Sequence, residues 1–185
     1  MSRTYDAIDG RLRAFIEAQH VFFVATAPAE GGHVNVSPKG IGGTFTVVDE
    51  HTVAYLDITA SGAETIAHLR ENGRITLMFC SFERSPNVVR LHGRGRVVTV
   101  YDDEYAAWVD RFDETRGARA VIVADVERVS DSCGYGLPLM DHVGERHLLP
   151  EHMERKGEEG LLDYRRTKNR TSIDGLPAFD HDPLP

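Results

Sequence analysis

The sequence predicts an antiparallel β-barrel with peripheral helices, an α+β arrangement of six or seven strands. Three observations carry it. Strand-sized apolar or alternating segments recur along residues 21–126. They are joined by turns and short helices with little βαβ alternation. The longest strand-like segment, 88–100, contains Gly93 and Gly95, and glycine inside a strand marks a bulge or a barrel corner.

Taken in order, Ile8, Leu12, Phe15 and Ile16 share one helical face, so the chain opens on an amphipathic helix. Residues 21–26 read as a buried strand. Glu30, Gly31, Gly32 and His33 form a turn where positive φ is cheap, and 33–37 return as a hairpin partner. Residues 44–48 and 52–57 form a second hairpin around Asp49, Glu50 and His51. Ser61 is expected to cap a short helix with Glu64 in a capping box, and Asn72-Gly73 ends it. Residues 74–79 are the next strand. Asp102 is expected to cap a helix over 103–109, and 118–126 form the last strong strand with 120–124 fully apolar. Residues 1–129 are taken as the barrel domain and 130–185 as a helical C-terminal extension packed on it.

Composition narrows the functional classes. With 29 acidic against 21 basic residues the net charge is −8, which argues against a phosphate polymer or an anionic membrane as partner. No window approaches the roughly 18 apolar residues of a membrane span, and the N-terminus lacks the apolar core of a signal peptide. Cys80 and Cys133 are too few for a disulfide framework, so a cytoplasmic protein with free thiols is expected. GxSxG, HExxH and Walker patterns are absent. The histidines are scattered, and His142, His147 and His152 are spaced off any single helical face, so no metal site is expected.

The more informative segments are short. In 35–40 (NVSPKG) a strand delivers Ser37, after which Pro38 and Gly40 break pairing and Lys39 offers a point charge to an anion. Residues 55–65 run from a strand to a helix N-terminus, where backbone N–H groups favour an anion, with Ser61 and Thr65 adding hydroxyls. Arg90 and Arg94 lie on the long strand and share a face if no bulge intervenes. Each of these also has a plain reading, as a solvated loop or strand face.

At these residues the chain resembles the pyridoxamine 5′-phosphate oxidase-like, FMN-binding split-barrel family. The similarity is carried by VFFVAT, NVSPKG, TVAYLDITASGAETIAHLRENGRITLMF and VVRLHGRGRVV in that order, over about residues 5 to 128. The stretches CGYGLPLMDHVGER and KNRTSIDGLP resemble the tails of a bacterial subgroup. The resemblance implies a split barrel with Greek-key connections and a homodimer that binds FMN at the subunit interface. By position, Val36, Ser37, Pro38 and Lys39 match the strand beside the flavin ring and ribityl chain, and Tyr55, Leu56 and Asp57 match the following strand end. Ser61, Gly62 and Thr65 match the phosphate turn, with Arg90 approaching from the long strand. The typical oxidase has Arg-Lys at that turn, where this chain has Glu64-Thr65, so Lys39, Arg90 or Arg94 must supply the positive charge. The oxidase's C-terminal substrate segment is also unmatched.

The expectation is therefore an FMN-dependent oxidoreductase acting on a small molecule, with a nicotinamide as candidate electron donor, rather than a pyridoxamine phosphate oxidase. The alternatives are a deazaflavin-dependent reductase and a non-enzymatic flavin or haem carrier, with His33, His92 or His142 as haem ligand. The extension is expected either to close the cleft with Tyr135, Leu137 and Pro138 or to buttress the dimer.

Overall fold

The computed structural model describes residues 2–113 and 115–179. Its elements are β1 (Arg3–Tyr5), α1 (Gly10–Glu17), β2 (Phe22–Thr26), β3 (Asn35–Lys39), β4 (Phe45–Val47) and β5 (Thr52–Ile58). They continue with α2 (Glu64–Asn72), β6 (Arg74–Cys80), β7 (Val88–Thr99), α3 (Tyr105–Val109), β8 (Ala118–Ser132) and α4 (Leu148–Lys168). The strands form one antiparallel sheet in the order β3-β2-β6-β7-β8-β5-β4, with β1 paired to the far end of β8. The sheet curls into a half-barrel with the helices outside it, the split barrel expected. The path β5-β8-β7-β6 is a Greek key: β6, β7 and β8 are antiparallel neighbours in chain order, with α3 between the last two, while the α2 connection carries the chain over from β5.

One more strand is present than the six or seven expected. β1 is three residues long and mostly exposed, so it carries no apolar alternation by which to recognise it. The 120–124 run is apolar throughout because both faces of β8 are covered. Ala120, Ile122 and Ala124 join the main core with Leu12, Phe22, Tyr55 and Leu77. Val121 and Val123 face a second cluster with Leu56, Val98 and Phe112, against which α3 packs.

The irregularity expected at the glycines is a register shift opposite His92 and Gly93, and its extra residue is Glu127 of β8 rather than a residue of β7. A β-carbon at Gly93 would lie 1.9 Å from the Asp125 carbonyl oxygen, which backbone cannot vacate. Gly93→Ala is therefore expected to cost about 3 kcal/mol as an overpacking defect; urea unfolding at wild-type stability would contradict that. β7 itself keeps one continuous register against β6, so Arg90 and Arg94 share a face as expected but are engaged differently. Arg90 is half-buried and donates to Ser132 Oγ at 3.1 Å, whereas Arg94 donates to the Asn72 carbonyl at 2.8 Å.

Two expected caps are corrected. α2 starts at Glu64 after Ala63, with no side-chain cap, so Ser61 does not cap it. The carbonyls of Ala60 and Gly62 are held instead by Arg119, which fixes the turn before the helix begins. Asp102 does not cap α3 through its side chain, because its Oδ2 accepts from the Thr99 N–H and hydroxyl at 2.6 and 2.7 Å. The helix end behaves as expected, with Gly73 at φ 70° accepting the left-handed position.

Candidate functional site

Strands β3 and β5 and the turn into α2 surround a polar pocket of about 290 Å³. The structure brings seven sequence-predicted residues together there: Ser37, Pro38, Lys39, Asp57, Ser61, Gly62 and Thr65. Val36, Tyr55, Leu56 and Arg90 fall outside its lining. Val36 stands exposed on the outer edge of β3, while Tyr55 and Leu56 are buried, the first in the main core and the second in the cluster under α3. Alternation along β5 explains the split: Leu56 points away from the face that carries Tyr55 and Asp57.

At the centre is a buried ion triad. Asp57, 1% exposed, accepts from Lys39 Nζ at 2.7 Å through Oδ1 and from Arg119 Nε at 2.7 Å through Oδ2. Burial alone raises a carboxyl pKa, but the positive charges of Arg119 and then Lys39 outweigh it and hold Asp57 at about 2. The carboxylate is therefore ionised at neutral pH, and two cations against one anion leave the triad one net positive charge. Burial, followed by the Asp57 charge, pushes the neighbouring Tyr55 phenol well up, so it stays neutral.

Arg119 was not among the expected site residues. Its neighbours on β5 show how it arrives: Asp57 pairs with Ala120 and Ile58 with Ala118, so Arg119 is the extra residue of a bulge. A bulge re-aims one side chain, and here it turns an arginine inward onto Asp57, with the remaining guanidinium nitrogens on the Ala60 and Gly62 carbonyls at 3.3 and 2.6 Å. The legible signal is a lone arginine at the head of a fully apolar run. Among the described residues, Lys39 and Arg119 are the cations lining this pocket, so Arg119 stands where the expectation had Arg90 or Arg94.

Hydroxyls on the opposite wall are oriented from below. Asn35 Nδ2 donates to Thr65 Oγ1 at 3.1 Å and Thr26 Oγ1 at 3.2 Å, and its Oδ1 accepts from Ser37 Oγ at 3.0 Å. Thr26 in turn meets His68 Nδ1 at 3.0 Å in the core, where burial lowers the His68 pKa and favours the neutral ring. The C-terminal extension supports the turn: Arg165 reaches Thr59 Oγ1 and the Ala118 carbonyl, and Asn169 donates to the Ala60 carbonyl. Glu64 also lines the pocket, with Oε1 accepting from the Ile173 N–H at 3.3 Å.

Past Pro38 and Lys39, which it shares with this pocket, lies a larger cavity of about 710 Å³. Its walls include Phe23, Ile41, Phe82, Met140 and Leu149, a size and lining suited to a small organic ligand. The extension does contribute to this wall, through Met140 to Leu149 rather than through Tyr135, Leu137 or Pro138; Tyr135 is turned out to solvent. Of the histidines considered for haem, His33 is bonded to Asp174 at 2.7 Å, His92 is half-buried on β7, and His142 lies in the wall of the larger cavity.

The family model for pyridoxamine 5′-phosphate oxidase matches residues 8–133. The chain belongs to that family. The matched span runs from the turn before α1 to just past the end of β8, and so contains the whole polar pocket. Family membership extends beyond the barrel. The pyridoxamine 5′-phosphate oxidase family protein ustO of Aspergillus flavus is 41% identical over 193 residues, covering 95% of this chain and 77% of that protein. Among solved structures, HupZ of Group A Streptococcus is 26% identical with a TM-score of 0.53, covering 66% of this chain and 91% of that one. A histidine-to-alanine variant of HupZ gives a TM-score of 0.55 at 24% identity, covering 68% of this chain and 99% of that one. No helix of the described residues is long and apolar enough to cross a membrane.

Proposed function

We propose that this family member binds FMN as a homodimer and uses it as an oxidoreductase on a small molecule. The observation that carries the reading is the pocket in which Lys39 and Arg119 flank a buried carboxylate beside the uncapped N-terminus of α2. The residues present fit a phosphate. The triad keeps one positive charge, the first N–H groups of α2 have no side-chain acceptor, and Ser37, Ser61 and Thr65 supply hydroxyls. Asp57 holds both cations in place before any ligand arrives, which lowers the ordering cost of binding.

Beyond the phosphate, Pro38 and Lys39 lead from β3 into the larger cavity, whose apolar walls suit a planar ring system. Bound flavin would supply hydride chemistry at its ring. The protein's part is to bind the phosphate, orient the ring along β3 and keep water from it. The edge position of β3 and the exposed Val34 and Val36 beside it fit a second subunit closing the cleft. Pyridoxamine phosphate oxidation is not part of the reading, because activity resides in the site and not in the family fold.

A visible spectrum of the purified protein, with nicotinamide oxidation followed after FMN is added, tests the reading. Flavin absorbance and FMN-dependent oxidation support it. A colourless protein that ignores added FMN contradicts it, and a deazaflavin spectrum or a Soret band redirects it to a deazaflavin or to haem. Glu64 lies on the phosphate side, where its charge opposes a dianion. Glu64→Gln is expected to tighten FMN binding about two- to fivefold, the size of an exposed charge interaction; equal or weaker affinity in a fluorescence titration would place Glu64 away from the phosphate.

A further inference from the structure

Sequence spacing within the extension argues against a metal site, but folding supplies a ligand from elsewhere. His20 sits in the turn between α1 and β2, and His142 and Glu145 lie in the strap 133–147, which has no regular secondary structure. All three line the 710 Å³ cavity. We infer that His20, His142 and Glu145 form a binding site for a divalent first-row transition metal ion of the zinc type, which clasps the strap against the cavity mouth.

The geometry fits that class of ion. One ring nitrogen of each histidine and a Glu145 carboxylate oxygen all lie within 4.8 Å of one another. His142 Nε2 is 3.3 Å from Glu145 Oε1. Metal–ligand bonds of roughly 2.0–2.1 Å in a tetrahedron put neighbouring ligand atoms about 3.3 Å apart, so this edge already has the right length. The His20 and His142 rings stand nearly parallel, 3.6 Å between centroids and 13° between planes, and metal binding requires them to turn so that their in-plane lone pairs converge. Two imidazoles and one carboxylate suit zinc and its neighbours, whereas calcium and magnesium take oxygen ligands. Three protein ligands leave a fourth position open, the arrangement of a reactive site rather than a purely structural one.

Apolar burial does not account for the convergence. On the same strap Leu139, Met140 and Val143 are exposed large hydrophobic residues, Val143 at 98%. The Met140 N–H donates to the Phe82 carbonyl at 3.0 Å and anchors the strap just before His142, and the His20–His142 stack joins the strap to the turn between α1 and β2. A stack of two exposed imidazoles in water gives little stability by itself, while a shared metal ion joins the two segments directly.

The experiment is a Zn²⁺ titration of the purified chelator-treated protein by calorimetry, with Co²⁺ absorption as a probe of coordination. No flavin is added, so the outcome is independent of the FMN reading. Stoichiometric binding is expected, with a visible Co²⁺ band of tetrahedral or five-coordinate intensity. His20→Ala, His142→Ala and Glu145→Ala are each expected to weaken Zn²⁺ by at least about tenfold, since even the loss of a group that only orients a ligand costs roughly 10–100-fold. The three residues are exposed, so the variants should keep the wild-type circular dichroism, and His147→Ala should bind as the wild type does. Absence of stoichiometric binding, or wild-type affinity in any of the three variants, would overturn the assignment.

Discussion

Asp57→Ala is expected to lower the free energy of unfolding by about 3–5 kcal/mol, the cost of leaving buried charge without its partner. Arg119, 5% exposed at its side chain, would lose the carboxylate that neutralises it, and Lys39 would lose its 2.7 Å ion pair. The same carboxylate predicts how stability depends on pH. Its folded pKa of about 2 lies below the ordinary 3.8, so its contribution is fully present above about pH 4 and disappears as pH falls through 2. The difference amounts to about 2 kcal/mol. Urea unfolding at several pH values checks both points. Wild type should lose more stability between pH 4 and 2 than Asp57→Asn, and parallel curves would show that Asp57 is not the group responsible.

Arg119→Met is expected to weaken FMN binding by about 10–150-fold, the span of one charge-assisted hydrogen bond worth roughly 1.5–3 kcal/mol. The substitution also strips Asp57 of a partner, so weaker binding could arise from a loosened pocket. The double variant Asp57→Asn/Arg119→Met separates the two effects, because removing both ends of a buried pair costs far less than removing one. Its stability should return toward wild type while FMN affinity stays low. Recovery of affinity with stability would mean that Arg119 acts only as a structural residue.

Most of the barrel was legible because its signals are local. Alternation marked the hairpins, the double-glycine turn at Gly31 and Gly32 adopts φ of 61° and 64°, and Gly93 marked the place where the register between β7 and β8 shifts. Residues 35–40 and 55–65 likewise declared themselves through proline, glycine and hydroxyls at an element end. What escaped was set by tertiary contacts. Arg119 reads as one more polar residue in a strand until the bulge beside Asp57 turns it inward. Ser61 has the composition of a cap, but the turn it would shape is already held by Arg119 through the Ala60 and Gly62 carbonyls. His20 and His142 meet only in the folded chain, where both line the larger cavity, and no spacing rule within either segment could pair them.

The claim that Lys39 and Arg119 form a phosphate site is tested most directly by comparing FMN with riboflavin, which has the same ring and lacks the phosphate. Fluorescence titration of the purified protein with each is expected to show FMN binding at least about tenfold tighter, as one or two charge-assisted hydrogen bonds require. Equal affinity for the two, or no binding of FMN at all, would contradict the assignment of this pocket.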